Sequence, residues 1–277
     1  MSSIPLSFEF FPTRSEEGRR KLGITRKQLS QYQPEYFSCT YGAGGTTRAG
    51  TLQAIIDIIN DGVAAAPHLA CIGASSEEMT ELLHTYKQMG IRHIVALRGD
   101  VPSGVGFGQQ GLRYAYELVS LIRQEFGDWF HIKVAAYPEF HPQARSAGDD
   151  INHFVRKCQA GAHSAITQYF FNADSYFWFI DEIQSRGVNI PIIPGIMPIA
   201  SFSKLARFSE TCGAEIPRWL RLKLQSYADD TASIKALGLD VVTEMCAQLL
   251  SQGAPSLHFY TLNQAGLVST ICQRLGY

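Results

Sequence analysis

An excess of charge of one sign is the first thing this chain lacks. Its 24 Lys+Arg stand against 25 Asp+Glu, a formal net charge of -1, so nothing broad draws it to nucleic acid or to an anionic membrane. No apolar run is long enough to span a bilayer, and residues 1–12 lack the basic start and long apolar stretch of a secretory signal. A cytoplasmic protein with small-molecule partners is expected. The six cysteines, Cys39, Cys71, Cys158, Cys212, Cys246 and Cys272, stand singly. Without a C-x-x-C pair there is no sign of a zinc knuckle or redox dithiol, and all six are read as reduced and mostly structural. G-x-S-x-G, Walker A and H-E-x-x-H are missing too, which removes the best sequence arguments for a serine hydrolase, a P-loop enzyme and a zincin. The glycines of Gly104-Val105-Gly106-Phe107-Gly108 do not open a helix directly after the strand, so they make no Rossmann fingerprint and read as a flexible loop.

What is present is an alternation. Of 277 residues, 45% are hydrophobic and 18% charged, enough for a sizeable core. Eight short β-rich runs, at 6–12, 36–42, 65–73, 93–100, 132–140, 164–171, 190–198 and 256–263, each end in polar or turn residues. Helical spacing fills the intervals. In 77–89, Met79, Leu82, Leu83 and Tyr86 share a face behind a Ser75-to-Glu78 capping box. In 112–126, Leu118, Leu121 and Ile122 point inward, and 241–250 precedes the last strand. The longest interval holds candidate helices at 201–211, 217–225 and 229–250. Periodicity alone fixes only the α/β class, since a doubly wound sheet alternates in the same way. Eight repeats favour a single (β/α)₈ TIM barrel, and 1–277 is read as one catalytic domain.

The strand ends carry the candidate chemistry. Glu9, in Phe8-Glu9-Phe10-Phe11-Pro12, points to the side opposite Phe8 and Phe10 by alternation. Apolar neighbours should raise its pKa and let it hold a proton as a general acid; a strand glutamate paired with a barrel Lys or Arg is the other reading. Arg98-Gly99-Asp100 closes the fourth run, where glycine admits a ligand close to the backbone, or the two charges simply pair. Gly42-Ala43-Gly44-Gly45-Thr46-Thr47 could present free N–H groups to an anion, or make a plain βα turn. After Tyr137-Pro138-Glu139-Phe140-His141-Pro142, the residues Asp150, His153 and Lys157 share a helical face suited to a sugar hydroxyl, to a diphosphate or to solvent. His68 and His258 lie in strands without metal-ligand spacing, and no metal site is expected. Gln168 is an amide in an aromatic run, able to bind a flat heterocycle or to be satisfied in the core.

In chain order, Ser7-Phe8-Glu9-Phe10-Phe11-Pro12, Thr40-Tyr41-Gly42-Ala43, Ala66-Pro67-His68-Leu69, Leu97-Arg98-Gly99-Asp100, Ala136-Tyr137-Pro138-Glu139, Ile166-Thr167-Gln168, Ile193-Pro194-Gly195-Ile196 and Phe259-Tyr260-Thr261-Leu262-Asn263 resemble the strand ends of methylenetetrahydrofolate reductases. Each motif alone is weak, but eight in order across nearly the whole chain are specific. The resemblance implies a barrel holding FAD, tightly and non-covalently, at the C-terminal ends of its strands. The cofactor-binding positions it implies are Thr40, Tyr41, Ala43, His68, Arg98, Gly99, Asp100, Ala115, Tyr137, His141, Ala144, Asp150, Arg156 and Lys157, with His153 at a further, variable one.

The resemblance further implies a ping-pong reaction. NADH or NADPH reduces FAD and leaves, and 5,10-methylenetetrahydrofolate then takes the hydride to become 5-methyltetrahydrofolate, a methyl source for methionine synthesis. Glu9 would protonate the departing nitrogen and Asp100 would stabilise the developing cation. Gln168 would bind pterin or nicotinamide, and Phe208 would stack over either. At two folate positions where the bacterial family suggests a glutamine and an arginine, this chain has Lys204 and Gln264; Lys204 could itself meet a tail carboxylate. A homo-oligomer is implied, and with the chain ending at Tyr277, no S-adenosylmethionine regulatory domain is expected. The competing readings are another FAD barrel oxidoreductase resembling proline dehydrogenase, a metal-dependent barrel hydrolase using His68, His258 and Asp100, and a non-catalytic folate- or flavin-binding protein.

Overall fold

Residues near each strand end alternate between large apolar side chains and polar ones, and the fold sorts them onto opposite faces of one curved sheet. The protein was analysed as a computed structural model, which describes residues 4–41, 48–72, 74–99 and 111–277. Its strands are β1 (Leu6–Phe10), β2 (Tyr36–Cys39), β3 (Ala65–Ala70), β4 (His93–Leu97), β5 (His131–Ala136), β6 (Ser164–Thr167), β7 (Ile192–Ile193), β8 (Gly195–Ile196) and β9 (Leu257–Tyr260). All pair in parallel, in the order β7-β6-β5-β4-β3-β2-β1-β9-β8. The two ends of that list, β7 and β8, flank Pro194 in sequence. The ring therefore closes through one interrupted strand, and the architecture is a (β/α)₈ barrel.

The interruption has a local cause. Pro194 has no N–H for the ladder, although its carbonyl accepts from His258 N at 3.1 Å. Gly195 follows because the seam is tight: a Cβ there would stand 2.2 Å from the Thr167 carbonyl and 2.6 Å from the Tyr260 ring. Instead, Gly195 N donates to Thr167 Oγ1 at 2.9 Å and Tyr260 Oη donates to the Thr167 carbonyl at 2.7 Å. The expected strand at 190–198 is thus two dipeptide bridges. The other expected strands are present but end earlier, because the chain leaves the ladder at the mouth to form loops.

Helices cover the outside. They are α1 (Glu16–Ser30), α2 (Arg48–Asn60), α3 (Ser76–Gln88), α4 (Ala115–Phe126), α5 (Ala147–Gln159), α6 (Ala173–Ser185), α7 (Phe202–Cys212), α8 (Arg218–Ser226), α9 (Thr231–Ser251) and α10 (Gly266–Arg274). Their starts follow the capping chemistry in the sequence. Ser15 Oγ accepts from Gly18 N ahead of Glu16 and Glu17, and Ser75 with Glu78 forms the expected capping box. The long interval before β9 holds α7, α8 and α9, as the periodicity predicts.

The main core lies between sheet and helices. Outward residues Phe8, Phe10, Phe37, Cys39 and Phe259 are buried there, with Phe8 stacked on Phe259 at 5.7 Å and Phe10 edge-on to Phe37 at 5.1 Å. Inside the ring, a smaller apolar layer of Tyr36, Ala66, Val95, Ile166 and Ile193 fills the axis. All six cysteines are free.

Candidate active site

At the strand mouths the barrel opens into a cavity of about 910 Å³, at the upper end of the range for small-molecule and cofactor sites. Among the polar groups that line it is Glu9, whose side chain is 18% exposed. Strand alternation that sends Phe8 and Phe10 outward sends Glu9 in, beside one imidazole from the adjacent β9 and one from β3, across β2. His68 Nε2 is 3.4 Å from Glu9 Oε2, and His258 Nε2 is 3.6 Å from the same oxygen. Neither nitrogen completes a hydrogen bond. His258 Nδ1 is fixed from behind by Ser7 Oγ at 2.7 Å.

Burial raises the pKa of Glu9, with His68 pulling the other way. Burial lowers His68, opposed by Glu9 and reinforced by His258. His258 is pushed down to about 3, by burial first and then by Lys133. Burial thus favours the neutral form of the carboxyl and of both imidazoles, the direction that the apolar run around Glu9 predicts.

One wall is cationic. Lys157 Nζ donates to the Ala135 carbonyl at the end of β5, and burial brings its pKa to about 8 against the pull of Asp150. Arg98 donates to Gln143 Oε1, and Arg145 joins the same wall. Asp150 receives His141 N at 2.9 Å and so ties α5 to the loop after β5. A second wall is aromatic, with Tyr114 lying between Tyr116 and His153, near-parallel to each at 5.6 Å between centroids. At the Arg98–Gly99 corner the backbone itself forms the surface: φ of Gly99 is +85°, and a Cβ would sit 2.9 Å from Ala70 Cβ. Above Glu9, buried Thr40 Oγ1 has no hydrogen-bond partner. Cations, a stacking platform, exposed backbone and an orphan hydroxyl together fit an elongated anionic ligand with a flat ring.

Comparison with known proteins bears on what that ligand serves. The family described as Methylenetetrahydrofolate reductase matches residues 2–276. The chain is 42% identical to the 5,10-methylenetetrahydrofolate reductase of Escherichia coli (strain K12), over 99% of this chain and 91% of that one. This chain belongs to the methylenetetrahydrofolate reductase family. It is also 36% identical to Methylenetetrahydrofolate reductase (NADH) 1 of Arabidopsis thaliana, covering 98% of this chain but 48% of that larger protein. Among solved structures, an uncharacterized protein from Clostridium thermocellum that binds two copies of 5-methyl-5,6,7,8-tetrahydrofolic acid superposes with a TM-score of 0.69. It shares 17% identity, over 98% of this chain and 94% of that one. At that identity the likeness shows the fold. The chain is accordingly an oxidoreductase of the methylenetetrahydrofolate reductase family.

Of the positions the reductase resemblance implies, Glu9, Thr40, Tyr41, His68, Arg98, Gly99 and Ala115 all line the cavity. So do Tyr137, His141, Ala144, Asp150, His153, Lys157 and Gln168. Gln168 Oε1 accepts from Tyr169 N at 3.0 Å, leaving the amide NH₂ for a ligand. Arg156 is not a wall residue and lies near Tyr116. Lys204, Phe208 and Gln264 are exposed and stand outside the walls, with Phe208 46% exposed on α7. Ala43, Asp100 and the Gly104–Gly108 stretch lie outside the described residues. Among the described residues no three His, Cys, Asp or Glu side chains form a group able to hold a metal ion, and no helix is long and apolar enough to cross a membrane.

Sequence reasoning missed Tyr114, Gln143 and Arg145 as walls. It also missed the barrel interior below Glu9, where Lys133 is buried with Nζ 4.5 Å above the Tyr36 ring. Tyr36 in turn stacks on His93 at 5.3 Å. Strand alternation could have placed Lys133 on the inner face, two residues before Ala135.

Proposed function

We propose that the protein reduces 5,10-methylenetetrahydrofolate to 5-methyltetrahydrofolate, using FAD held in the cavity and NADH or NADPH as donor. The observation that carries this reading is Glu9, its pKa raised by burial, lining a cavity whose walls suit a dinucleotide. Arg98, Arg145 and Lys157 would meet the diphosphate, the Tyr114–His153 platform a flat ring, and Gly99 and Thr40 the polar edges nearest the strands. Bound there, FAD would supply hydride acceptance from the nicotinamide and hydride delivery to the folate, so that the two substrates use one site in turn.

Glu9 supplies the proton. Opening the methylene bridge requires protonation of the departing nitrogen, and burial raises the pKa of the carboxylic acid that would supply it. His68 and His258, held neutral, leave the proton on Glu9 rather than taking it. His258 is held in place beside the carboxyl by Ser7, which meets its other ring nitrogen. Asp100 is assigned to electrostatic stabilisation of the iminium, and Gln168 to the pterin amide edge. Lys204, Phe208 and Gln264, on the surface outside the cavity, are assigned to the exposed parts of the folate. The near-neutral charge of the chain supports small-molecule partners over nucleic acid, and the family likeness supports a cytoplasmic homo-oligomer.

The test is anaerobic. Protein carrying FAD is reduced, 5,10-methylenetetrahydrofolate is added, and the visible flavin band is followed. Return of the band with formation of 5-methyltetrahydrofolate is expected. A band that stays bleached points to another substrate for an FAD barrel, and failure to bind flavin at all removes the reading.

A further inference from the structure

The loop after β5 carries Tyr137 and His141 into the cavity, and between them Glu139 turns away. Its Oε2 accepts from the backbone N–H of Glu215 at 2.7 Å, in the connection between α7 and α8. Neighbouring contacts seat the same end of α7. Tyr169 Oη is 3.1 Å from Ser209 Oγ and accepts from Cys212 Sγ at 3.4 Å. Pro142 Cδ approaches Gly213 so closely that a Cβ there would stand 3.2 Å away. Phe140, next to Glu139, takes a left-handed φ of 69° and meets Trp178 of α6 edge-on at 5.8 Å. A phenylalanine adopts that conformation when its surroundings hold it there. The loop is therefore a clamp between α6 and the end of α7, and α7 bears Lys204 and Phe208 on its exposed side.

We propose that Glu139 is a positioning residue that locks the end of α7 to the cofactor-side loop after β5, so that the folate-side helix and the cavity wall move as one body. This rests on the reading above, in which α7 meets the folate. The bond from Glu215 N–H to a carboxylate is charge-assisted, and stronger than one to a neutral acceptor. Burial, reinforced by the Glu215 carboxylate and opposed by the Glu215 N–H, pushes Glu139 up to about 7. The titratable groups that face it are Glu215 from the α7–α8 connection and Tyr169 from the segment after β6, the latter itself raised by burial above its ordinary range. The lock is tight above that pH, with Glu139 ionised, and loosens as the carboxylate gains a proton.

Two measurements test this on the FAD-loaded enzyme. Hydrogen exchange at the Glu215 amide, corrected for its intrinsic pH dependence, is followed from pH 6 to 8.5, alongside KM and kcat for 5,10-methylenetetrahydrofolate. In the unsubstituted protein, amide exchange and folate KM should both rise as pH falls through about 7. Glu139→Gln keeps an acceptor but no charge, so both should lose that pH dependence and stay at the loosened values. Glu139→Ala should raise exchange and KM about tenfold, the order expected for one charge-assisted hydrogen bond, with kcat and reduction by NAD(P)H little changed. Unchanged Glu215 exchange in either variant overturns the lock, and faster exchange with an unchanged folate KM overturns its coupling to substrate. If the unsubstituted enzyme turns over no folate, the functional reading has failed, and the amide exchange alone decides the lock.

Discussion

Phe8 and Glu9 are adjacent on one strand and belong to different materials. Outward, Phe8 is wholly buried among Tyr32, Phe37 and Phe259, in a continuous apolar layer whose packing supplies most of the stability of such a fold. Inward, Glu9 faces His68 and His258, and the polar atoms around it are poorly satisfied. Tyr36 Oη, Ser38 Oγ, Thr40 Oγ1, His68 Nε2, His93 Nδ1 and His258 Nε2 are all buried without a hydrogen-bond partner. Groups in that condition cost stability. Their concentration on the inner faces of the strands shows where the barrel gives up stability for reactivity, while the outer face of the same strands offsets the loss.

Substitutions on the two faces should therefore fail in different ways. The largest effect is expected from Glu9→Gln, which should slow folate reduction by ~10²–10⁴-fold, the range for loss of a general acid. Stopped-flow reduction by NAD(P)H should stay near normal in this variant, and its unfolding midpoint should not fall. Undiminished folate reduction would remove Glu9 from the acid role. On the other face, Phe8→Ala should cost about 3–5 kcal/mol in denaturant unfolding through cavity formation, with the folded fraction retaining its rate per site. A stability loss in the first variant and a rate loss in the second would erase the division between the faces.

Lys133 sharpens the comparison, since it is a buried inner-face cation that no step of the reaction uses. Burial brings its pKa from 10.5 to about 8, against the pull of Glu35. Between those values the unfolded chain binds more proton than the folded one, so this residue makes stability rise as pH climbs from about 8 to 10.5, and its full penalty is present below about 8. Lys133→Met should remove that slope and add up to roughly 3 kcal/mol near neutral pH, from the shift at 1.36 kcal/mol per pKa unit. Unfolding curves of both proteins across the alkaline range would check this, and an unchanged slope would refute it. The smallest effect is expected far from both faces, at Ser75→Ala. Loss of the α3 capping box should cost about 1 kcal/mol, measurable as a shift in midpoint with no change in turnover.

The alternation of short apolar runs with amphipathic stretches gave the α/β class, and the count of eight repeats favoured the barrel, because each βα unit announces itself locally. Ser75 and Glu78 bracket the start of α3 as expected, and α7, α8 and α9 fall within a residue or two of their periodic patterns. The broken seventh strand was not legible, although Pro194-Gly195 stood in the sequence as a warning. The cost of that dipeptide to a ladder depends on how near Thr167 and Tyr260 come, and this is settled by strands distant in sequence. The inward direction and raised pKa of Glu9 could be read from two flanking phenylalanines. That two histidines would reach the same carboxylate oxygen could not, since strand pairing sets His68 and His258 beside it. Arg145 and Tyr114 became visible as cavity walls only in three dimensions, because loop residues obey no period.

The pairing of β1 with β9 has a consequence in time. Ser7 finds His258 across 251 positions of sequence, and Leu6 is registered against Leu257. A chain emerging from the ribosome presents β1 long before β9, the strand that completes it. Throughout synthesis β1 has β2 on one side and an open edge on the other. The floor of the cavity, shared between β1 and β9, is thus assembled only once β9 has been made. A chain cut short before Leu257 would carry nearly every wall residue yet leave Glu9 without His258.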